Sequence, residues 1–261
     1  MFAPTINLDY YPANWHSPRD GATPQAIVAH GTAGTDSRRY LQRGGERPDG
    51  SDRKVSIHAL IQKDGTIYRM VDDERVANHA GGVVLSNGML SSRLTIGDRT
   101  YRGAQVNRYT LGFELENLQN GLDPYPDVQL LAMGWQINAW RQRYGPLPVT
   151  RHATIDPGRR SDPAGLTVAA IELWAKRAAA EVTSKSYRVK AKSGANVRAG
   201  RSTSAKVLTV LGPGDVWAGY VTPGARISVP GFGTSNEWIC DATGRRVWRG
   251  LLDEDTPHAA D

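Results

Sequence analysis

A polar loop in the second half of the chain holds two residue types that bind metal ions. The segment VTRHATIDPGRRSDPAG, residues 149–165, carries His152 and, ten residues later, Asp162 among glycines, prolines and arginines. A histidine and a carboxylate brought together by a tight loop can supply two of the three protein ligands of an open catalytic zinc site, where water takes the fourth position. The loop therefore predicts part of a metal site whose third ligand lies elsewhere.

The best candidate for the third ligand is His30. It ends the apolar run AIVAH and is followed by GTAG, so the pattern places it at the carboxyl end of a buried strand, where functional sites form. The chain has one cysteine, Cys240, which excludes an internal disulfide and a cysteine-rich zinc cluster. The alternative is a structural metal, or no metal, with the polar residues of the loop simply solvated.

Two glutamates on another apolar segment could complete such a site. In LGFELENL, residues 111–118, the leucines and the phenylalanine alternate with Glu114 and Glu116. Alternation of this kind predicts a strand with both carboxylates on one face. That face is more polar than a core-facing surface tolerates, so we expect one of the two glutamates to reach the site.

The remaining patterns predict the elements that position these residues. The Asp-Gly pair in VSIHALIQKDGTIYRMV predicts a hairpin, and His58 in its first strand is expected to be a core histidine bonded to the backbone or to a metal ligand. A short helix is predicted from an N-cap at Asp36, an amphipathic helix over residues 126–145, and a second long helix from Leu166. Residues 83–108 are expected to form an exposed loop. Strands alternating with helices indicate an α/β layer structure.

Five blocks occur in an order and spacing that resemble a known family. The blocks are AIVAHGTAG, VSIHALIQKDGTIYRMV, NHAGG, LGFELEN and RHATIDPGRRSDPAG. Together they resemble zinc-dependent N-acetylmuramoyl-L-alanine amidases of type 2, over roughly residues 20–180. That superfamily includes phage lysozyme-type amidases, muropeptide-recycling amidases and peptidoglycan recognition proteins. The resemblance implies an α/β fold with a central mixed β-sheet flanked by helices.

The resemblance also implies a role for each site residue. Zn²⁺ is expected between His30, His152 and Asp162. Glu114 is expected to be the general base that takes a proton from the attacking water and passes it to the leaving amine. Arg160 stands where the family usually has a lysine that stabilises the oxyanion, and a guanidinium differs from an ammonium in shape and donor geometry.

Two further positions are expected to act at the site. His79, in ANHAGG, lies among residues too small to pack and is therefore expected to face a cleft. The resemblance places it near the substrate and outside the metal ligands, where it would bind substrate or support a metal ligand from behind. Thr32, in HGTAG, is expected to bind substrate. Ile57 stands where one branch of the family has a tyrosine, so the site is expected to belong to the glutamate-using branch.

The character of the chain changes at about Thr183. Beyond it, short alternating segments separated by Gly, Pro and Ser predict a small all-β unit, which resembles a bacterial SH3-like barrel. We therefore expect a catalytic domain over residues 1–183 with an N-terminal arm over 1–22, a wall-binding domain over 184–252 and an acidic tail over 253–261. Residues 184–252 hold eleven Lys and Arg against three acids, a difference of plus eight. That excess predicts attraction to an anionic polymer, although the charge could serve only solvation.

These patterns lead to a functional hypothesis. The 261-residue chain has a formal charge of +6, no base-reading motif for nucleic acid, no apolar run of membrane-spanning length and no signal peptide. We expect a monomeric enzyme that cuts peptidoglycan between N-acetylmuramic acid and L-alanine. A phage or prophage endolysin, held in the host cytoplasm until a holin releases it to the wall, fits these features. The alternatives are a recognition protein that binds peptidoglycan without cutting it, and a recycling amidase for soluble muropeptides.

Overall fold

The chain divides into two compact units in a computed structural model. One comprises Tyr11–Ala178, and the other comprises Met1–Tyr10 with Ala179–Asp261. The structure describes residues 8–35, 37–46, 50, 52–181, 185–200, 202–241 and 245–254. The predicted N-cap Asp36 and residues 255–261 of the predicted tail lie outside these ranges. The functional division of the chain stays a prediction.

The unit Tyr11–Ala178 contains strands and helices in alternation. Strand β1 (Leu8–Tyr10) precedes it. Its elements in chain order are β2 (His16–Pro18), β3 (Ala26–Gly31), α1 (Ser37–Arg43), β4 (Gly45–Glu46), β5 (Asp52–Arg53), β6 (Ala59–Ile61), β7 (Ile67–Arg69), β8 (Arg75–Ala77), β9 (Arg93–Ile96), β10 (Arg99–Arg102), α2 (Ala104–Arg108), β11 (Thr110–Leu115), α3 (Asp127–Tyr144), β12 (Val149–Arg151), α4 (His152–Ile155) and α5 (Val168–Glu181), the last continuing past its end.

A mixed sheet forms the centre of this unit. Five strands lie in the order β7-β6-β11-β3-β12. Strands β6 and β7 form the predicted antiparallel hairpin, whereas β11 is parallel to both β6 and β3, and β12 is parallel to β3. The run Ala26–Ala29 is at most 1% exposed. It is apolar throughout because both faces of this parallel strand are covered. The predicted mixed sheet with flanking helices is confirmed.

Helix α3 differs from its prediction. It spans the expected residues, but every side chain from Gln129 to Ile137 is buried, so the helix is not amphipathic in its packing. The reason is the close approach of α5. A β-carbon at Gly134 would lie 2.3 Å from the Trp174 carbonyl oxygen. Glycine at this position lets the α5 backbone approach α3 closely. Helix α5 therefore covers the face of α3 that would otherwise meet solvent.

The expected loop over residues 83–108 is also wrong in part. Strands β9 and β10 pair as an antiparallel hairpin, and α2 follows them. The hairpin is held because Leu94 and Tyr101 are buried in one apolar cluster with Val106 of α2 and Val28 of the sheet. In the sequence these apolar residues stand singly among Ser, Gly, Asn and Arg, so the segment shows no strand or helix periodicity.

The second unit is all-β, as predicted. Its elements are β13 (Lys185–Val189), β14 (Ala195–Arg198), β15 (Val207–Leu211), β16 (Val216–Val229), β17 (Gly233–Cys240), β18 (Arg246–Trp248), a 3₁₀ turn (Arg249–Leu251) and β19 (Leu252–Glu254). The strands form an antiparallel sheet in the order β15-β14-β18-β17-β16-β13-β19. Cys240 is fully buried, as expected of a small apolar side chain. The SH3-like barrel stays a prediction.

Candidate active site

Three parallel strands end at the same edge of the sheet, and each carries a predicted site residue there. His30 lies near the end of β3, Glu114 near the end of β11, and His152 directly follows β12. His30 and Glu114 are direct partners in the β3–β11 register, so their side chains leave the same face of the sheet. Carboxyl ends of parallel strands are where α/β folds place their ligands.

The loop after β12 folds back on itself and carries Asp162 to His152. The Ala153 N–H donates to the Asp162 carbonyl oxygen over 3.0 Å, which closes the loop. Buried Asp156 fixes its middle by accepting hydrogen bonds from Ser91 Oγ at 2.9 Å and Arg159 at 2.7 Å. The Gly31 N–H then donates to Asp162 Oδ2 over 3.3 Å, so the carboxylate is joined to the end of β3 as well.

The three candidate ligands converge on one point. His30 Nδ1 lies 2.9 Å from His152 Nδ1 and 3.6 Å from Asp162 Oδ2, and His152 Nδ1 lies 3.2 Å from the same oxygen. Zinc–nitrogen bonds of about 2.0–2.1 Å at tetrahedral angles place two ligand atoms about 3.3 Å apart. The triangle therefore fits a single Zn²⁺, and it is the one such group of three found among the described residues.

The surroundings keep His30 and Asp162 in the protonation states that bind metal. Burial lowers the pKa of His30 to about 4, and the neighbouring His152 adds to this effect. Burial also acts against the charged form of Asp162, but the neighbouring His152 and His30 outweigh it and lower the pKa of that carboxyl. Near neutral pH the site therefore offers an imidazole lone pair and a carboxylate, which is what zinc requires.

The two glutamates have different surroundings. Glu114 Oε2 is buried and accepts no hydrogen bond from the described residues. Burial raises the pKa of Glu114 well above its ordinary value, the charge of Asp162 raises it further, and Arg160 opposes the shift. Glu116 instead accepts a hydrogen bond from the Lys63 N–H at the β6–β7 hairpin. Burial raises the pKa of Glu116 as well, but the Lys63 N–H and the Lys63 charge oppose that shift. Of the pair, Glu114 has the free oxygen and the pKa raised well above its ordinary value, which mark a general base.

Residues 20–165 match the family model described as Amidase_2, N-acetylmuramoyl-L-alanine amidase. The chain belongs to this amidase family. The match covers the ends of β3, β11 and β12 and the whole loop to Asp162.

Individual relatives can also be named. The 1,6-anhydro-N-acetylmuramyl-L-alanine amidase AmpD of Citrobacter freundii is 33% identical over 115 residues, which are 42% of this chain and 51% of the relative. The chain thus spans about half the length of that curated relative. A crystal structure of a selenomethionine AmpD derivative covers 67% of this chain and 96% of its own, with 23% identity and a TM-score of 0.50, which shows the fold. A solution structure of Citrobacter freundii AmpD covers 68% and 95%, with 24% identity and a TM-score of 0.46.

A cavity opens over the candidate site. Its volume is about 400 Å³, within the range usual for ligand pockets. Glu114, His152 and Asp162 line it, and the exposed Arg160 stands at its wall. Other lining residues carry no signal in the sequence, among them Tyr40, Arg53, Arg159 and Gln119. They come from α1, the two-residue strand β5 and polar loops, where single residues have no periodic pattern.

The two predicted substrate-binding residues also line the cavity. The Thr32 hydroxyl is engaged with the backbone, since it donates to the Gly34 carbonyl oxygen over 2.6 Å and accepts from the Asn117 N–H over 3.1 Å. His79 Nδ1 lies 2.9 Å from His30 Nε2, on the opposite side of that ring from Nδ1. Substrate contact by either residue stays a prediction.

His58 is placed differently from the other histidines. It lies just before β6, fully buried, and its Nδ1 accepts a hydrogen bond from the Gly112 N–H over 3.1 Å. Burial lowers its pKa well below the ordinary value, and Arg19, whose guanidinium lies 2.9 Å from His58 Nε2, adds to this. The expected core histidine bonded to the backbone is therefore found.

Proposed function

We propose that this member of the amidase family is a zinc amidohydrolase that cleaves the amide bond between N-acetylmuramic acid and L-alanine in peptidoglycan. The observation that carries the proposal is the convergence of His30, His152 and Asp162 beside a buried carboxyl group with a free oxygen, Glu114. Neither part alone would suffice, because metal ligands without a base can serve structure only.

Each residue has a chemical task in this proposal. His30, His152 and Asp162 would hold Zn²⁺, which in such sites makes water nucleophilic near neutral pH. Glu114 takes the proton from the attacking water and delivers it to the nitrogen of the leaving L-alanine. Its raised pKa suits both steps, because a base that must later act as an acid works best with a pKa near the working pH. Arg160 supplies positive charge for the oxygen that becomes negative when the carbonyl is attacked.

Two substrates are compatible with this chemistry. The AmpD relative carries a name that refers to a 1,6-anhydro-N-acetylmuramyl compound, which favours soluble muropeptides. The second unit and its excess of basic residues favour an anionic wall polymer. We propose the wall as substrate, in an enzyme of the endolysin kind, and keep the recycling amidase as the second candidate. A binding protein without activity is disfavoured, because its site would have no use for Glu114.

One experiment separates these functions. Purified cell walls and a soluble anhydromuropeptide are digested in parallel with the full-length protein, and the new chain ends are identified. New L-alanine amino termini support the amidase, whereas new reducing sugar ends would point to a glycosidase. Faster turnover of the wall supports the endolysin-like role. Cleavage of the soluble compound alone would reassign the protein to recycling, and bound zinc with no product would revive the recognition protein.

A further inference from the structure

A chain of hydrogen bonds runs from a helix end to the candidate metal site. The Thr110 hydroxyl donates its only proton to the Val106 carbonyl oxygen over 2.6 Å. Its oxygen lies 3.2 Å from His79 Nε2, and with the hydroxyl proton already committed it can only accept there. The proton of the neutral His79 ring must therefore be on Nε2, which leaves Nδ1 as an acceptor.

The same reasoning carries one step further. His79 Nδ1 lies 2.9 Å from His30 Nε2, so His30 must be the donor and carry its proton on Nε2. The lone pair of His30 is then on Nδ1, the atom that lies 2.9 Å from His152 Nδ1 and 3.6 Å from Asp162 Oδ2. The order of protons along the chain thus selects the tautomer of His30 that can bind a metal.

The His79 ring is held firmly enough to act in this way. Asn107 Oδ1 accepts hydrogen bonds from the N–H groups of His79 and Ala80, at 3.2 and 2.6 Å, which fixes the backbone. The ring lies against Gly112, where a β-carbon would be 2.6 Å from His79 Nδ1. It meets the His30 ring edge to face, with centroids 5.0 Å apart. Gly112 therefore leaves the space that the ring occupies.

We propose that His79 is a positioning residue that fixes the tautomer and orientation of His30, with Thr110 as the anchor of the chain. The inference rests on the zinc site of the proposed function and deepens it. Partners of this kind behind a metal-binding histidine raise its basicity and hold its ring, and their loss typically costs roughly 10- to 100-fold in metal affinity. Substrate contact, the other role expected for His79, would change the Michaelis constant and leave zinc affinity unchanged.

The first test needs no metal. In the full-length, metal-free protein, nitrogen-15 NMR of the imidazole rings reports which ring nitrogen carries the proton. We expect both His30 and His79 to carry it on Nε2. A His30 ring protonated on Nδ1, or a mixture of both tautomers, would overturn the proposal even if the protein binds zinc.

The second test measures zinc affinity by competition with a chelator. His79→Leu removes the acceptor and should weaken zinc binding by roughly 10- to 100-fold. In His79→Asn the amide oxygen stands close to the former Nδ1 and can accept from His30, so affinity should return to within a few-fold of the parent. A leucine variant with parental affinity, or an asparagine variant as weak as the leucine variant, would contradict the inference.

The third test changes Thr110, the anchor of the hydrogen-bond chain. Thr110→Val, nearly equal in volume, should weaken zinc binding in the same direction by less than His79→Leu. Adding it to His79→Leu should cause no further loss, because residues that act through one chain are not additive. Additive losses would mean that Thr110 acts on the fold rather than through His79. A parent protein that binds no zinc would refute the proposed function. The tautomer measurement would still test the hydrogen-bond chain from Thr110 to His30.

Discussion

The two units differ in whether their charged side chains are buried or exposed. Tyr11–Ala178 buries many ionisable side chains, namely Arg19, His30, His58, Arg69, Asp73, Glu116, His152, Asp156 and Asp162. In the described part of the second unit, Arg246 is the one charged residue that is buried, inside a core that is otherwise apolar and aromatic. Burying charge costs free energy unless each group is paired or bound to an ion. The unit that accepts this cost is the one whose strand ends converge on the candidate site.

The charge of the second unit lies on its surface, and part of it is neutralised there. Lys185 and Lys190 pair with Glu254 and Asp253 at 2.7 and 3.0 Å, and Arg245 pairs with Asp241 at 2.7 Å. Two of those acids lie just past residue 252. Counted to residue 254, eleven basic residues face five acids, a difference of plus six. A charge count along the sequence therefore overstates the positive potential that an anionic polymer would meet at this surface. Buried ionisable groups with perturbed pKa values, by contrast, cluster at functional sites.

The largest expected effect comes from removing one of the buried candidate metal ligands. Asp162→Ala or His152→Ala should strip zinc and abolish cleavage, because a two-ligand site leaves the metal exposed to solvent and exchange. Elemental analysis of the purified variants measures the metal, and release of L-alanine termini measures the rate. An undiminished stoichiometric metal in both variants would show that the ligands are other residues.

The next effect separates two neighbouring glutamates. Glu114→Gln should retain zinc but lose turnover by roughly the 10²- to 10⁴-fold typical of general acid–base catalysis. Glu116→Gln is the matched control, because it makes the same chemical change two residues away at the Lys63 turn. If the control is the damaged variant, the general base is Glu116. Equal rates for both variants and the parent would remove glutamate from the mechanism.

A smaller effect is expected on stability, with a definite sign. Burial raises the pKa of Glu114 above the ordinary 4.5, so above that pH the folded protein binds more protons there than the unfolded chain does. The free energy of unfolding contributed by this group then falls as pH rises. Metal-free Glu114→Gln, whose side chain stays neutral, should therefore gain stability relative to the parent as the pH rises above 4.5. Urea unfolding over a pH series above that value, with chelator present, measures the difference. A gain that shrinks as pH rises would contradict the sign.

The smallest effect concerns the surface charges. Lys192, Lys206 and Arg226 are exposed and form no ion pair with any residue that the structure describes. Replacing all three with glutamine should weaken pelleting with purified walls at low salt and leave the rate on a soluble muropeptide unchanged. High salt should erase the difference, since the screening length falls from about 10 Å at 0.1 M to about 3 Å at 1 M. Equal pelleting at every salt concentration would show that the second unit does not bind walls through these charges.

Periodicity was enough to predict the parts of the fold that depend on one segment alone. AIVAH is apolar throughout because it is covered on both faces, and Asp-Gly closes the β6–β7 hairpin because Gly65 adopts a positive φ of 82°. Helices α3 and α5 were found from their spacing. The β9–β10 hairpin was missed because its buried residues, Leu94 and Tyr101, are held by Val106 and Val28, which lie in other segments.

For the site, the sequence by itself determined which residues were available: His30 at a strand end, His152 and Asp162 in one closed loop, and a pair of glutamates. It could not choose between Glu114 and Glu116 by position, nor see what stands behind His30. By position the choice depends on the tertiary structure, because the β3–β11 register pairs Glu114 with His30. The family resemblance had named the same glutamate. The direction of each hydrogen bond from Val106 to His30 likewise depends on atoms from three segments that only folding brings within 3.2 Å of one another.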